Sequence, residues 1–246
     1  MNFLIIFLLF FNIILNAHVD IHILGTGLLL PYSIGICSYI KHNIPLQSYK
    51  LTGISGGAWC SLLFALEKNL TDHDQIWNIT VGNKNTKLVL HKNLNLFHAH
   101  IEKSLKSRYK NVESSSIQNI SILSSRFDNK KMKIFADQKN NFKNIDEIID
   151  YSTCSSYIPF LSGSKLCKEY KNDFYMDGDL TRKQTNIKKE SSLQKIAIHH
   201  SMWGRKFTMK DYIYTDINIS RKFFEHGWND TEQNRKEITK YLYYPQ

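Results

Sequence analysis

Hydrophobic residues recur along the N-terminal half of the chain with two alternating periods. Residues 19–24 alternate between apolar and polar side chains, which predicts a strand, and residues 32–41 carry apolar side chains at helical spacing. The same succession returns at 49–52, a short strand-like run, and at 56–70, a helix-like run. Strands and helices that alternate in this way predict an α/β fold whose parallel strands are joined by helices.

The rest of the chain has a weaker pattern. Residues 71–131 are rich in Asn, Lys, Ser and His, and predict helices and loops on one side of the sheet, with His91, His98 and His100 in contact with solvent. Short strands are predicted at 132–136 and 174–176, a closely packed turn at 152–160, and an amphipathic helix at 231–244. We therefore predict a three-layer α/β/α sandwich with a mostly parallel sheet, formed as one domain by residues 18–246.

Residues 1–17 are almost wholly apolar and end at the small residue Ala17. Their length suits a signal peptide better than a spanning helix, which needs about 20 apolar residues. No Lys or Arg precedes the apolar run, and Leu15 stands where a cleavage site favours a small residue, so an uncleaved anchor is the alternative. Both alternatives predict the secretory route, with a secreted protein in the first case and an ER- or membrane-associated one in the second.

Sequons and cysteines bear on the same route. The chain has five sequons, which predict a glycoprotein: Asn69, Asn78, Asn119, Asn218 and Asn229. In an oxidising compartment Cys154 and Cys167 are the favoured pair to form a disulfide, across a short loop, and free thiols are the alternative. Cys37 and Cys60 lie in apolar helical runs and are expected to be buried thiols. The spacing of Cys and His predicts no metal site.

The chain is basic, with a formal net charge of +10 from 32 Lys and Arg against 22 Asp and Glu. This balance could favour anionic partners such as phospholipid headgroups or nucleic acid, but the many Asn, Lys and Ile residues are also typical of the drift of an AT-rich genome, which is the preferred explanation. The sequence has no Arg-rich cluster, zinc-finger spacing or aromatic-basic module, so we expect no nucleic-acid binding. A membrane surface stays open as a partner.

Residues 50–59 (KLTGISGGAW) contain the pattern Gly-x-Ser-x-Gly, formed by Gly53, Ser55 and Gly57. A strand-like run precedes the pattern and a helix-like run follows it, which is the context of a nucleophile elbow. In such an elbow the flanking glycines remove Cβ clashes around a sharp turn, and the serine hydroxyl is exposed above the helix N-terminus. The pattern therefore predicts Ser55 as a nucleophile.

A second glycine turn, Gly-Thr-Gly-Leu at residues 25–28, joins the first predicted strand to the first predicted helix. The dinucleotide pattern Gly-x-Gly-x-x-Gly is incomplete there because Leu30 replaces the third glycine, and we expect no cofactor. Backbone N–H groups of this turn could stabilise an oxyanion beside the nucleophile. The candidate donors are the backbone N–H groups of Gly25, Thr26, Gly27, Leu28 and Gly56. The alternative is a tight turn without a chemical role.

Asp177 follows an apolar half-strand in the run FYMDGD at residues 174–179. This arrangement places a carboxylate at the end of a strand. By itself, Asp-Gly is a common turn.

Together, four places resemble the patatin-like phospholipase family: residues 25–28, residues 53–57, the segment 152–159 that ends in Ile-Pro, and Met-Asp-Gly at 176–178. The resemblance covers residues 19–180. It implies a lipid acyl hydrolase that acts on phospholipid or neutral lipid, in which Ser55 is the nucleophile and Asp177 is the base, without histidine. It also implies an oxyanion hole around Gly27 and Leu28.

The chain departs from that family at two places. Leu29 and Leu30 stand where the family usually has a further glycine, and Asp179 stands where it usually has Gly or Ala. A carboxylate two residues from the base should raise the pKa of Asp177, unless it points to solvent.

Two other functions stay open at this point. The first is an α/β-hydrolase esterase with a Ser-Asp-His triad, since His199, His200 and His226 follow the serine and the aspartate in the required order. The second is a catalytically inactive relative that binds lipid, for which Leu30 and Asp179 are the motivation. The sequence does not identify the ester that is cleaved or the acyl acceptor.

Overall fold

The computed structural model describes residues 18–46, 48–185 and 194–243, and the predicted signal peptide or anchor lies outside them. The strands of the described part are β1 (His18–Ile23), β2 (Ser48–Ile54), β3 (Leu88–Val89), β4 (Ile120–Asp128), β5 (Lys133–Lys139), β6 (Lys168–Tyr170), β7 (Asp173–Met176), β8 (Gln194–Ile198) and β9 (Tyr214–Thr215). Its α-helices are α1 (Leu30–Asn43), α2 (Gly56–Leu66), α3 (His73–Thr80), α4 (Leu90–Arg108), α5 (Ile145–Ser155), α6 (Met209–Ile213), α7 (Ile217–Gln233) and α8 (Arg235–Tyr243).

The strands β8, β1, β2 and β4 lie side by side and run parallel, and β5, β7 and β6 extend this sheet in antiparallel pairings. β3 and β9 form a separate antiparallel pair. Helices flank the sheet, and the buried apolar side chains of sheet and helices form one core. The predicted mixed α/β fold with a mostly parallel sheet is therefore confirmed.

Strand β4 brings the two candidate catalytic segments together. Along one edge it pairs in parallel with β2, as far as Ile54 beside Leu123, and further on with the antiparallel β7, where Met176 lies beside Ser125. The other edge of β4 pairs with β5. The ends of β2 and β7 therefore point at each other along the same edge, and the next residue of each strand reaches the level of Ser124.

Of the two C-terminal helices, α7 packs on helix α1 and α8 packs on the sheet, as the amphipathic pattern predicts for the C-terminus. Gly227 of α7 approaches α1 so closely that a Cβ atom there would lie 2.0 Å from the carbonyl oxygen of Tyr32. Ile238 and Leu242 of α8 are buried, and α8 packs against β8. None of the helices that the structure describes has the length and apolar composition needed to cross a bilayer.

Three local expectations were wrong. Residues 120–128, expected as helix or loop, form β4, which is central to the sheet. Helix α2 ends at Leu66, before the predicted end at residue 70. Residues 152–155, expected as a turn, are the last turn of α5. At 120–128 and 152–155 the tertiary environment overrides a weak local pattern, because serine and threonine are acceptable in a buried strand or helix end when their hydroxyls find partners. Helix α2 ends early because the backbone of Glu67 is extended.

The cysteines also differ from expectation. All four are free thiols, so the predicted Cys154–Cys167 bridge is absent. Cys154 is buried on α5, where it packs in the core, and Cys167 precedes β6. The predicted buried thiols Cys37 and Cys60 lie on α1 and α2 with their Sγ atoms 3.5 Å apart.

Candidate active site

Ser55 lies in the sharp turn between β2 and α2. Its backbone has φ 54° and ψ −126°, a strained conformation for a residue with a Cβ atom. The two elbow glycines allow this turn to pack closely. A Cβ atom on Gly57 would lie 1.9 Å from the carbonyl oxygen of Ile23, and one on Gly53 would lie 2.6 Å from Cα of Ala58. The local geometry is therefore that of a nucleophile elbow, held between β1 and α2.

Helix α5 supports the elbow through two serines. The backbone N–H of Ser55 donates to Oγ of Ser155 at 2.9 Å, and that hydroxyl donates to the carbonyl oxygen of Leu123 at 2.5 Å. Ser156 accepts a hydrogen bond from Nε1 of Trp59 at 3.1 Å. The sequence predicts only that this segment packs closely, and includes it in the family resemblance. The role of Ser155 was missed because its partner lies one hundred residues earlier, and no local pattern marks such a contact.

Ser55 and Asp177 form a direct hydrogen bond. Oγ of Ser55 donates to Oδ2 of Asp177 at 2.6 Å, and both side chains are less than a tenth exposed. Burial raises the pKa of Asp177 to about 7, although the hydrogen bonds from Ser55 and from the backbone N–H of Asp179 favour the carboxylate. The charge of Asp179 adds the smallest contribution, in the upward direction that was expected from the sequence. The pKa of Asp177 is therefore close to neutral pH, which is the range suited to a general base.

The backbone around Asp177 is fixed by β4. Oγ of Ser125 donates to the carbonyl oxygen of Asp177 at 2.7 Å, and Oγ of Ser124 donates to that of Met176 at 3.1 Å. Gly178 lies against β4, where a Cβ atom would be 2.3 Å from the carbonyl oxygen of Leu123. The glycine after the aspartate is therefore required by close packing.

The first glycine turn lies beside the elbow. A Cβ atom on Gly56 would lie 3.5 Å from the backbone nitrogen of Gly27, whose φ of 53° is in the left-handed region. Gly27 and Leu28 begin a short 3₁₀ helix, so their N–H groups have no acceptor within that helix. These predicted donors, with Gly56, border the same cavity as Ser55. Gly25 and Thr26 precede the 3₁₀ helix, and Gly25 is packed against Asp179 instead.

A narrow cavity opens at Ser55 and extends between α1, α3, α4 and α7. Its wall is mainly apolar and includes Leu28, Leu30, Trp59, Trp77, Phe97 and Phe224. Two of the polar wall residues form hydrogen bonds within the protein: Nε2 of His73 lies 2.8 Å from Oγ of Ser220, and Oγ1 of Thr80 donates to the carbonyl oxygen of Ile76 at 2.9 Å. The cavity therefore offers a largely apolar surface next to the serine hydroxyl.

None of the hydrogen bonds of the described part joins a histidine of the triad alternative to Ser55 or Asp177. Nδ1 of His199 is 2.8 Å from Oγ of Ser201, and the ring of His200 stacks 3.8 Å from that of His199. Burial lowers the pKa of both, to about 4 for His200. His226 lies on α7 near Arg205 and Asp230. The hydrogen bond of the Ser55 hydroxyl goes directly to Asp177, with no imidazole between them.

A fourth histidine, His98, was expected to be solvated and is 5% exposed. It lies on α4 in the wall of the cavity, and burial lowers its pKa to about 4. It is therefore a neutral part of the wall at physiological pH. Within the described ranges, no group of three or more His, Cys, Asp or Glu residues is placed to hold a metal ion.

Comparisons with known proteins add little to this geometry. No protein-family model and no curated protein matches the chain. Among solved structures, the chain is similar to one in the heterodimeric ExoU–SpcU complex from the type III secretion system of Pseudomonas aeruginosa, with 10% identity and a TM-score of 0.42. The similarity covers 87% of this chain and 51% of that chain, so this chain spans about half the length of its neighbour. A likeness this distant does not identify a reaction.

Proposed function

We propose that the chain is a lipid acyl hydrolase of the patatin-like phospholipase type, which cleaves fatty acyl esters through Ser55 and Asp177. The observation that carries the proposal is the 2.6 Å hydrogen bond from the Ser55 hydroxyl to the Asp177 carboxylate at the mouth of an apolar cavity. The strained elbow and the second glycine turn beside it support the same reading.

In the first half of the reaction, Oγ of Ser55 attacks the ester carbonyl carbon while its proton passes to Asp177. A pKa of about 7 makes this carboxylate a stronger base than one in water, whose pKa is near 4. The backbone N–H groups of Gly27, Leu28 and Gly56 stabilise the oxyanion, and one such donor is worth about 3 kcal/mol. The bond to the leaving alcohol then breaks, the alcohol takes the proton from Asp177, and an acyl ester of Ser55 remains.

In the second half, a water molecule attacks the acyl carbon and gives its proton to Asp177. The bond between Oγ of Ser55 and the acyl carbon breaks, and the serine recovers its proton from Asp177. The products are a fatty acid and free enzyme. The same two residues thus serve both halves without an imidazole.

The cavity supports a fatty acyl chain as the group that is bound. Its wall is mainly apolar, and the polar wall residues His73 and Thr80 form hydrogen bonds within the protein, to Ser220 and to the backbone of Ile76. Leu30, which departs from the family pattern, is buried in this wall and helps to enclose the fatty acyl chain. A hydrocarbon gains free energy by leaving water for such a surface.

The test is release of fatty acid from phosphatidylcholine vesicles and triacylglycerol emulsions by the full-length protein, measured by mass spectrometry in H₂¹⁸O. We expect release of fatty acid that carries ¹⁸O, loss of release in Ser55→Ala, and unchanged release in Ser116→Ala, a matched change at an exposed serine. Acyl transfer to an alcohol instead of water would make the protein an acyltransferase. Equal release by wild type and Ser55→Ala, or none by folded wild type, would refute the hydrolase.

A further inference from the structure

Asp179 connects the turn that carries the base to the glycine turn beside the nucleophile. Its side chain is 37% exposed, and its carboxylate lies directly over Gly25. A Cβ atom on Gly25 would be 1.7 Å from Oδ2 of Asp179, and the three atoms nearest to that position all belong to Asp179. The first glycine of Gly-Thr-Gly therefore leaves room for this carboxylate.

The same residue contacts the base through its backbone. The N–H of Asp179 donates to Oδ1 of Asp177 at 2.9 Å, while Oδ2 of Asp177 accepts from Ser55. Both carboxylate oxygens of Asp177 are thus occupied, and the rotation of its side chain is fixed. A base held in this way keeps its oxygen aligned with the serine proton.

The carboxylate of Asp179 is balanced by its surroundings. Partial burial raises its pKa, while Arg182, His200 and the backbone N–H of Gly25 favour the charged form. Nη1 of Arg182 lies 3.2 Å from Oδ1 of Asp179, which leaves Oδ2 over Gly25. Asp179 therefore lies between the guanidinium of Arg182 and the glycine turn of residues 25–28.

We propose that Asp179 is a positioning residue for the reaction of Ser55: it holds the turn of Gly25 to Leu28 against the turn of Asp177, so that oxyanion donors and base keep a fixed separation. This inference rests on the proposed function for its catalytic consequence. The contact itself does not depend on any activity. It also gives the departure of Asp179 from the family pattern a role in this chain.

The contact is tested by thermal unfolding of wild type, Gly25→Ala, Asp179→Ala and the double variant, all in the full-length protein. Gly25→Ala should lower Tm by several degrees in the wild-type background, because the new methyl group displaces the carboxylate, and by less than about 1 °C in Asp179→Ala. Equal Tm losses in both backgrounds would overturn the contact.

The positioning is tested by hydrogen exchange of residues 24–29, which needs no catalysis. Exchange of these amides should become several-fold faster in Asp179→Ala and stay near the wild-type rate in Asp179→Asn, whose amide oxygen still accepts a hydrogen bond. Asp173→Ala is the matched control, since Asp173 begins β7, the strand that leads to Asp177, and is 50% exposed. Unchanged exchange in Asp179→Ala would overturn the proposal.

The catalytic consequence is measured by the rate of labelling with a fluorophosphonate probe across pH. Asp179→Ala should slow labelling about tenfold or more. Asp179→Asn should restore most of the rate and move the pH midpoint downward, because a negative charge near Asp177 is removed. If wild type labels and Asp179→Ala labels equally fast with the same midpoint, positioning is wrong and the hydrolase stands. If hydrogen exchange responds as expected but wild type does not label, the proposed hydrolase function is wrong, and the contact between Asp179 and the turn of residues 25–28 stands.

Discussion

Ser55 and Asp177 differ in how much of their environment can be read from the local sequence. The glycines on both sides of Ser55 mark a sharp turn, because a Cβ atom at either position would collide with neighbouring backbone. The sequence around Asp177 shows only a strand end and a glycine. Its burial, and the pKa of about 7 that follows, come from residues across the sheet that no local pattern indicates.

The raised pKa of Asp177 predicts the pH dependence of the reaction. The serine proton can pass only to the ionised carboxylate, so the labelling rate of Ser55 should rise with pH through a midpoint near 7 and level off above pH 8. The measurement is the second-order rate constant for a fluorophosphonate between pH 5 and 9. A midpoint near 4, the value of a solvated aspartate, would contradict the assignment.

The same group also affects stability with pH. Because the folded-state pKa of Asp177 lies above its unfolded value of 3.8, the folded protein binds more protons between these values, and stability falls as pH rises from about 4 to 7. Asp177→Asn should remove this contribution. Between pH 4 and pH 8 the variant should therefore lose less free energy of unfolding than wild type, by roughly 1 kcal/mol or more. Urea unfolding at the two pH values measures the difference, and parallel losses in both proteins would contradict it.

Among the secondary-structure elements, the strongly patterned ones were predicted well and β4 was not. β1, β2, α1 and α2 have clear apolar periods and distinct glycine turns between them. β4 has Ser121, Ser124 and Ser125 within it, which locally resembles a polar loop. In the sheet these serines are acceptable, because Ser124 and Ser125 donate to the backbone of the base segment. The partner strand, and not the propensity of the residues, decides the structure there.

The contact between the elbow helix α2 and strand β1 predicts a stability effect at one glycine. Gly57→Ala would place a methyl group 1.9 Å from the carbonyl oxygen of Ile23, so backbone must move. We expect a loss of about 2 kcal/mol or more in the free energy of unfolding by urea. The control is Gly163→Ala, where the nearest atom is the hydroxyl oxygen of the Tyr157 side chain at 2.9 Å, so the contact is 1.0 Å longer and is not with backbone. Equal losses in the two variants would argue against the close packing of the elbow.

For the molecule as a whole, the fold class followed from the order of strands and helices, but the cavity did not. Its wall is assembled from α1, α3, α4 and α7, and two of these lie in the region where the pattern was weak. A helix such as α4 shows its apolar face only partly, and His98 on that face looked like a solvated residue in the sequence. The shape of a site built by four separate helices depends on how they pack, which single periods do not describe.

The cavity predicts how the protein discriminates between acyl chains. Leu94 on α4 is buried in the wall, and Leu94→Trp should fill part of the space without entering the catalytic pair. We expect hydrolysis of a long-chain p-nitrophenyl ester to fall about tenfold or more, with little change for the acetyl ester. Leu96→Trp is the matched control, since Leu96 is on the same helix and 64% exposed. An equal loss for both chain lengths would show that the cavity does not bind the acyl group.

The central claim is that Ser55 is a nucleophile activated by Asp177 without a histidine, and labelling with a fluorophosphonate tests it most directly. Full-length wild type should label covalently at Ser55, as identified by peptide mass spectrometry. Ser55→Ala should not label, and Asp177→Asn should label at least about a hundredfold more slowly. The double variant of His199 and His200 to alanine should label like wild type. Loss of labelling in the histidine variant, or none in a folded wild type, would contradict the claim.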